Sequence, residues 1–316
     1  MMFRHFIFSF VSFFTVVNFT ASLQADEPAS LVNKYLERAS DQQKYACAMF
    51  CESTQIDGKS AKKDSYAEFW YLHSYDPETR ARRHDHHRQS AINDVDSAGP
   101  GIYATLIYEN KKAFRQWLNR NTQKRVDIEN REDDDVNEEI AKRIYHQTFF
   151  DPLTLTFRGT SSFNPDGSLA LVADYHIALK KYSCKDEEER GRMTIQGFQP
   201  VHPDIYDVIA FDERMDRMPV LLTRTYGKGG KFYESVATSW HKAGDQWYPI
   251  VSEFKRILGS IENSRKLKYY WMLDDFPKGI FPEGNEAPLH GSELKEAIVK
   301  WSEEKFMKKS EGRSGK

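Results

Sequence analysis

The sequence predicts an α+β chain that is mainly β: a twisted antiparallel sheet forming a half-barrel, with helices on its concave side. Three observations predict it. Aromatic residues make up 14% of the 316 positions (21 Phe, 16 Tyr, 6 Trp), too many rings for an unfolded polar chain. Strand-like runs at 205–212, 219–226, 231–240, 247–257 and 266–273 are separated by short turns such as Gly227-Lys228-Gly229-Gly230 and Lys242-Ala243-Gly244-Asp245. Connections that short force antiparallel pairing, because parallel strands need long crossovers. Finally, apolar residues keep to one face of each late run: Phe232, Val236 and Trp240; Tyr248, Ile250 and Phe254; Leu267, Tyr269 and Trp271.

Earlier elements follow in order. Arg4 and His5 precede an apolar run from Phe6 to Phe19, and Thr20-Ala21-Ser22-Leu23-Gln24-Ala25 supplies small residues before Asp26. The run is shorter than the roughly 20 residues of a membrane span, and the pattern reads as a cleaved secretory signal over 1–25. An uncleaved anchor is the alternative. No cysteine follows the run, so the expected product is a soluble secreted or periplasmic protein without a lipoprotein anchor, and no later segment is long and apolar enough to span a membrane. Ser30 caps an amphipathic helix bearing Leu31, Val32, Tyr35, Leu36 and Ala39. Tyr45–Ser53 and Tyr66–Tyr75 flank the hairpin signal Asp57-Gly58, and the Asp76-Pro77-Glu78-Thr79 turn leads into Arg80–Arg88. A second hairpin joins Ile102–Tyr108 to Ala113–Leu118. The middle is polar over 119–139, then helical over 136–149, with a strand over 168–181 and a charged loop over 185–190. A last helix starts at Ser292, with Leu294, Ala297, Ile298 and Trp301 on one stripe. The expected organisation is therefore a single β-rich domain over 26–285, with an insertion at 119–190, and a C-terminal helix and tail over 286–316.

This layout resembles the outer-membrane lipoprotein carrier-like superfamily of unclosed β-barrels. Phe69-Trp70, the Pro77 turn and the following Arg80 and Arg82 are similar to that family's strand, proline and arginine. Ile107-Tyr108-Glu109-Asn110 running into Ala113-Phe114 is similar to its hairpin. Trp240–Pro249 and Phe276-Pro277 to Phe281 resemble its later sheet and terminator. The likeness covers about 29–118 and 200–282. It implies a non-enzymatic carrier of a hydrophobic or lipid-modified ligand, with Arg80 or Arg82 near the mouth. Arg80 and Arg82 straddle the family's arginine position around Ala81, and 119–190 is an insertion that compact carriers lack.

Composition excludes several classes of function. With 45 basic and 47 acidic residues the net charge is −2, which creates no global field for nucleic acid. Three cysteines build no disulfide framework; Cys184 can pair with Cys47 or Cys51 only by leaving one thiol free. Asp57-Gly58-Lys59-Ser60 lacks the upstream glycine of a phosphate loop, and the acidic run 132–135 lacks the spacing of a calcium loop. No Ser–His–Asp elbow or Cys–His arrangement stands out, and no cofactor is implied.

Two candidate sites remain. Val208, Leu222, Val236, Trp240, Ile250, Phe254, Tyr269 and Trp271 form the apolar stripe of the late strands, which is either core or the lining of a cavity for an acyl chain or hydrophobic peptide. Arg80, Arg82 and Arg88 suit an anionic group. His84 and His86 share a strand face, as do Asp174 and His176 on another predicted strand, a spacing able to place ligands on one metal. Three functions are open to this pattern: a hydrophobic-ligand binding protein, which the resemblance favours; an envelope protein–protein interaction module using the sheet edge and C-terminal helix; or a metal-dependent enzyme on the His84/His86 strand.

Overall fold

A computed structural model of the chain describes the backbone of residues 43–58, 62–79, 81–91, 104–109, 112–118, 125–131, 182–187, 191–198, 203–226, 232–281 and 289–308, with short pieces at 150–151, 156–157, 162–163 and 169–170. Side chains are described for most of these, but not at 62–67, 82, 84, 86–91, 104–170, 186–187 or 232.

Thirteen strands form one sheet. They are β1 (Tyr45–Asp57), β2 (Lys62–Asp76), β3 (Ala81–Ala91), β4 (Ala104–Glu109), β5 (Lys112–Leu118), β6 (Arg125–Arg131), β7 (Ser183–Glu187), β8 (Arg192–Phe198), β9 (Ile205–Asp212), β10 (Met218–Tyr226), β11 (Phe232–Ala243), β12 (Gln246–Leu258) and β13 (Ile261–Met272). Their order is β7-β8-β9-β10-β11-β12-β13-β1-β2-β3-β4-β5-β6, with every neighbouring pair antiparallel. Two meanders are thus joined at a seam, where β13 pairs with β1 from Ala46↔Met272 to Asp57↔Ile261. β6 and β7 are the two edges, and the sheet is not closed. It is the mainly β half-barrel that the alternating runs predict.

The seam lies at the centre of the sheet, and its sequence shows why. Tyr45, Ala46, Cys47, Ala48 and Met49 are buried in succession, the continuous apolar run of a strand covered on both faces. One face, called the wall below, carries Leu222, Val236, Phe254, Leu267 and Tyr269. The opposite face carries Ala46, Ala48, Leu72 and Met272, and here helix α1 (Gly291–Trp301) packs. The His290 side chain caps α1 by accepting from the Ser292 amide at 3.3 Å. Leu294, Ile298 and Trp301 are buried, and Ala297 packs at their margin, so the predicted stripe is the contact stripe. A single π turn (Ser302–Phe306) follows, in which the Ser302 hydroxyl accepts from the Trp271 amide at 3.1 Å and Phe306 packs edge-on to His241 and Tyr248.

The late strands match their predicted runs, and 205–212 matches at both ends. Two strands and the start of a third occur where polarity concealed them: β6 lies within the polar stretch 119–139, β7 runs into the charged loop predicted over 185–190, and Ile261–Arg265 extends β13 backwards. The first two are edges, which pair through the backbone and tolerate charged side chains. Of the strand predicted at 168–181, only Leu169–Ala170 is described as strand, paired with Ser162–Phe163. The signal segment, the opening helix at 31–39, the helix at 136–149 and the acidic run 132–135 lie outside the described residues.

The Asp57-Gly58 turn holds two hairpins together. The Gly58 amide donates to the Ser260 carbonyl at 2.7 Å, and the Ser260 hydroxyl bonds Asp57 at 3.2 Å. A Cβ at residue 58 would lie 2.9 Å from that carbonyl oxygen. Gly58→Ala is therefore expected to cost about 1–3 kcal/mol in a urea titration, and an unchanged midpoint would show that the turn yields freely. Burial lowers the His241 pKa below its usual 6.5, so the folded state favours the neutral ring. That contribution is complete above the unfolded pKa and declines as pH falls through the lowered one. The melting temperature should accordingly drop less between pH 7.5 and 5.5 in His241→Gln than in the native chain.

Candidate functional site

The wall is built in rungs of directly paired residues, which share a face. One rung runs Ile195, Ile209, Leu222, Val236, Phe254, Arg265, Ser53. Two residues further along each strand the next rung runs Gly197, Asp207, Arg224, Glu234, Arg256, Asn263, Gln55. In the other direction come Thr238, Ser252, Leu267 and Cys51; the Thr238 and Ser252 hydroxyls bond each other at 3.1 Å, and Tyr269 from the next rung donates to Ser252 at 3.3 Å. Trp240 and Trp271 close this end, each indole donating to a backbone carbonyl at 2.7 Å, of Pro219 and Pro249 respectively. Glu234 and Trp240 are six residues apart on β11, so the wall is about 20 Å deep between the charged rung and the tryptophans.

The predicted stripe divides within this arrangement. Leu222, Val236, Trp240 and Phe254 belong to one buried cluster with Ile195, Ile209 and Phe211; Tyr269 and Trp271 belong to a second, with Ile250 at its margin. Val208 alternates with Asp207 and Ile209 and therefore faces away from the wall.

Sequence reasoning missed the charged rung. Arg224 binds Asp207 bidentately at 2.7 and 2.9 Å, and the Arg256 guanidinium binds Glu234 Oε1. Tyr182 lies over Gly197, where a Cβ would come 2.5 Å from its ring, and its hydroxyl donates to Asp207 at 3.0 Å. The available signal was a charge at one inward position of each of four successive strands, visible only once register is known. Burial raises the Tyr226 pKa beside this rung, with Glu234 acting in the same sense and Arg224 against it.

Burial also governs the thiols. Cys47, Cys51 and Cys184 are thiols rather than disulfides, so the pairing open to Cys184 is not formed. Desolvation pushes the Cys51 pKa to about 11 and that of neighbouring Tyr71 to about 12, against the opposing field of Arg265. A thiol so protonated is no nucleophile at neutral pH.

On β3 the arginine that the structure singles out is Arg83, one residue beyond the expected Arg82. It is fully buried and uses all five donors: two to Asp85, one each to the Gly279 and Ile280 carbonyls through Nη1, and one to the Leu289 carbonyl through Nη2, with Nε and Nη2 serving Asp85. It thus clamps the chain that leads into α1. Arg80 and Arg88 and the side chains of Arg82, His84 and His86 lie outside the described side chains; by backbone register Arg82, His84 and His86 stand opposite Tyr75, His73 and Tyr71. Asp174 and His176 also lie outside the described residues. Among the described residues no group of three or more His, Cys, Asp or Glu is placed to hold a metal ion, and no helix is long and apolar enough to cross a membrane.

No family model matches the chain, and no curated protein matches it. Among solved structures, a DUF1329 family protein from Desulfovibrio piger is similar over 82% of this chain and 97% of its own, at 6% identity and a TM-score of 0.43. A protein described as an outer membrane lipoprotein-sorting protein domain, from Vibrio parahaemolyticus, covers 85% and 97% at 10% identity and a TM-score of 0.37. A beta-barrel-like protein of a domain of unknown function, DUF1849, from Brucella abortus, covers 72% and 97% at 10% identity and a TM-score of 0.24.

Removing the Arg83 guanidinium leaves Asp85 buried without its counter-charge and three carbonyls without their donor. Arg83→Met should cost about 3–5 kcal/mol in chemical denaturation. Limited proteolysis of that variant should cut first within 273–290. A loss below about 1 kcal/mol would mean that the clamp is dispensable.

Proposed function

We propose that this is an exported, non-enzymatic binding protein that holds a hydrophobic or acylated ligand against the wall of its half-barrel. The observation that carries this reading is the wall itself: a buried apolar face some 20 Å long on a sheet whose edges β6 and β7 do not pair with each other. The wall's side chains are buried within the protein, so a guest would reach them by displacing what packs over them, at the mouth of a sheet that is not closed. Leu222, Val236, Phe254, Tyr269 and the two tryptophans at the closed end are the residues proposed to contact the apolar part. Export through the segment 1–25 belongs to the same proposal.

The interaction-module reading loses its main element, because the apolar stripe of α1 is turned into the protein's own core rather than outward. Deletion of 286–316 would expose Met272 and Ala48 and disturb the sheet itself.

Trp240 and Trp271 supply the assay. A brominated fatty acid bound at the wall should quench tryptophan emission saturably, with one equivalent per chain. At 100 times Kd the same ligand should add about 2.7 kcal/mol of stability, seen as a raised melting temperature. If lipid extracts of the purified full-length protein contain no acylated species, and brominated ligands neither quench nor stabilise, the proposal fails.

A further inference from the structure

The two ends of the sheet turn through different chemistry. Strands β10 to β13, β1 and β2 are consecutive neighbours, and at one end their last paired residues form a single row: Tyr226, Phe232, Leu258, Ile261, Asp57 and Lys62. Three hairpin turns leave this row side by side, each two strand spacings, about 10 Å, from the next. The middle turn, Gly259-Ser260, is flanked by apolar side chains that reach solvent: Leu258 is 55% exposed and Ile261 37%. Among the described residues four large apolar side chains are exposed, and Phe198, which ends β8 opposite Tyr206, makes a third at this end. Exposed apolar groups gathered on one side and rimmed by polar ones mark protein or membrane contact sites, whereas scattered ones are ordinary.

The turns on either side are basic. β10 is joined to β11 by Gly227-Lys228-Gly229-Gly230-Lys231, and β1 runs into β2 through Gly58-Lys59-Ser60-Ala61-Lys62-Lys63. These two runs hold five lysines and no acidic residue. Asp57, opposite Lys62 in register, Asp64, and Asp204 in the next turn outward set three carboxylates against the five ammoniums, a net charge of +2. Beside the apolar turn, Lys255 and Glu262 pair at 2.9 Å and cancel. The Gly58 amide donates to the Ser260 carbonyl at 2.7 Å, so the apolar turn and one basic turn move as one unit. At the opposite end the same strands turn through Asp76-Pro77-Glu78 and Gly244-Asp245 and run out to Asp274-Asp275. That end is acidic, and its neighbouring Lys44 and Lys305 are ion-paired with Asp76 and Asp275.

From this arrangement we infer that the Leu258–Ile261 end of the sheet docks on the surface of an anionic bilayer, the two apolar side chains entering the headgroup layer and the lysines of the flanking turns facing the lipid phosphates. The docking goes beyond the ligand binding proposed above and does not depend on it. A bilayer interface places anionic groups over hydrocarbon, and an apolar tip set between cationic ones matches that order. An acidic protein or a polyanion would match the lysines but leave Leu258 and Ile261 in water. Contact through hairpin tips, with no spanning segment, makes the attachment reversible and weaker in high salt.

The test is a lysine footprint on the full-length protein, mixed with phosphatidylcholine vesicles containing about one-third phosphatidylglycerol. Amine acetylation, read site by site by mass spectrometry, should fall about fivefold at Lys59, Lys228 and Lys231. Lys242 and Lys305, at the other end, should stay as reactive as in the vesicle-free protein. In Leu258→Ser/Ile261→Ser, whose positions are exposed and tolerate polarity, the protection should drop to about twofold or less. Lys228→Gln/Lys231→Gln should likewise release Lys59, and serves if the serine variant does not fold. Because both variants keep the apolar run 6–19, any membrane association through that run is common to all samples. Equal labelling with and without anionic vesicles, equal protection by pure phosphatidylcholine, or protection that survives in the folded variants overturns the docking. Protection by polyglutamate as strong as by vesicles, and unchanged in the serine variant, overturns it in favour of an acidic macromolecule.

Discussion

A guanidinium or carboxylate taken out of water costs several kcal/mol unless a counter-charge and the remaining hydrogen bonds come with it, and much of this sheet is arranged around meeting that cost. Arg83 is the extreme case, with no exposure and every donor occupied. Its partners come from a single strand and from the chain leading into α1, so satisfying one ion also fixes where the C-terminal helix lies. Asp207 with Arg224 and Glu234 with Arg256 apply the same rule across β9–β12. There each pair bridges neighbouring strands at matched positions. A slip of one residue would turn both members to opposite faces, so the pairs also specify register.

Apolar packing covers what these ions leave. One cluster gathers around Ile209, Phe211 and Val236, and the other around the seam of β13 with β1 and the helix beyond it. Small residues at Ala46 and Ala48 keep the sheet smooth under α1, while Lys295 lies 5.3 Å from the centre of the Trp70 ring. The two faces of the central strands therefore have different tasks: one anchors the helix, and the other forms the wall.

Much of this was legible in the sequence, and the failures share a cause. Alternation revealed the late strands and the contact stripe of α1, because each residue there reports its own burial. Strands β6 and β7 and the start of β13 were hidden, because edge and rim positions carry polar side chains and are held by backbone bonds that leave no compositional trace. At the candidate site, Leu222, Val236, Trp240 and Phe254 were identifiable for the same reason as the strands. The charged rung was not, since Asp207, Arg224, Glu234 and Arg256 look like ordinary surface charges until pairing places them in one row. Arg83 was passed over in favour of Arg80 and Arg82, as nothing local reveals the three carbonyl partners that lie about 196 to 206 residues downstream.

The seam has a consequence for how the chain comes to be folded. β1 is among the earliest strands to be made, yet its partner β13 is the last of the thirteen. Until β13 emerges, β1 has only β2 beside it and presents an apolar, unpaired border. Contacts so distant in sequence slow folding, and exposed strand borders invite association with other chains. A protein of this topology depends on whatever shelters its amino-terminal half during synthesis, and variants that weaken the seam should be lost to aggregation during production before they are lost to instability once folded.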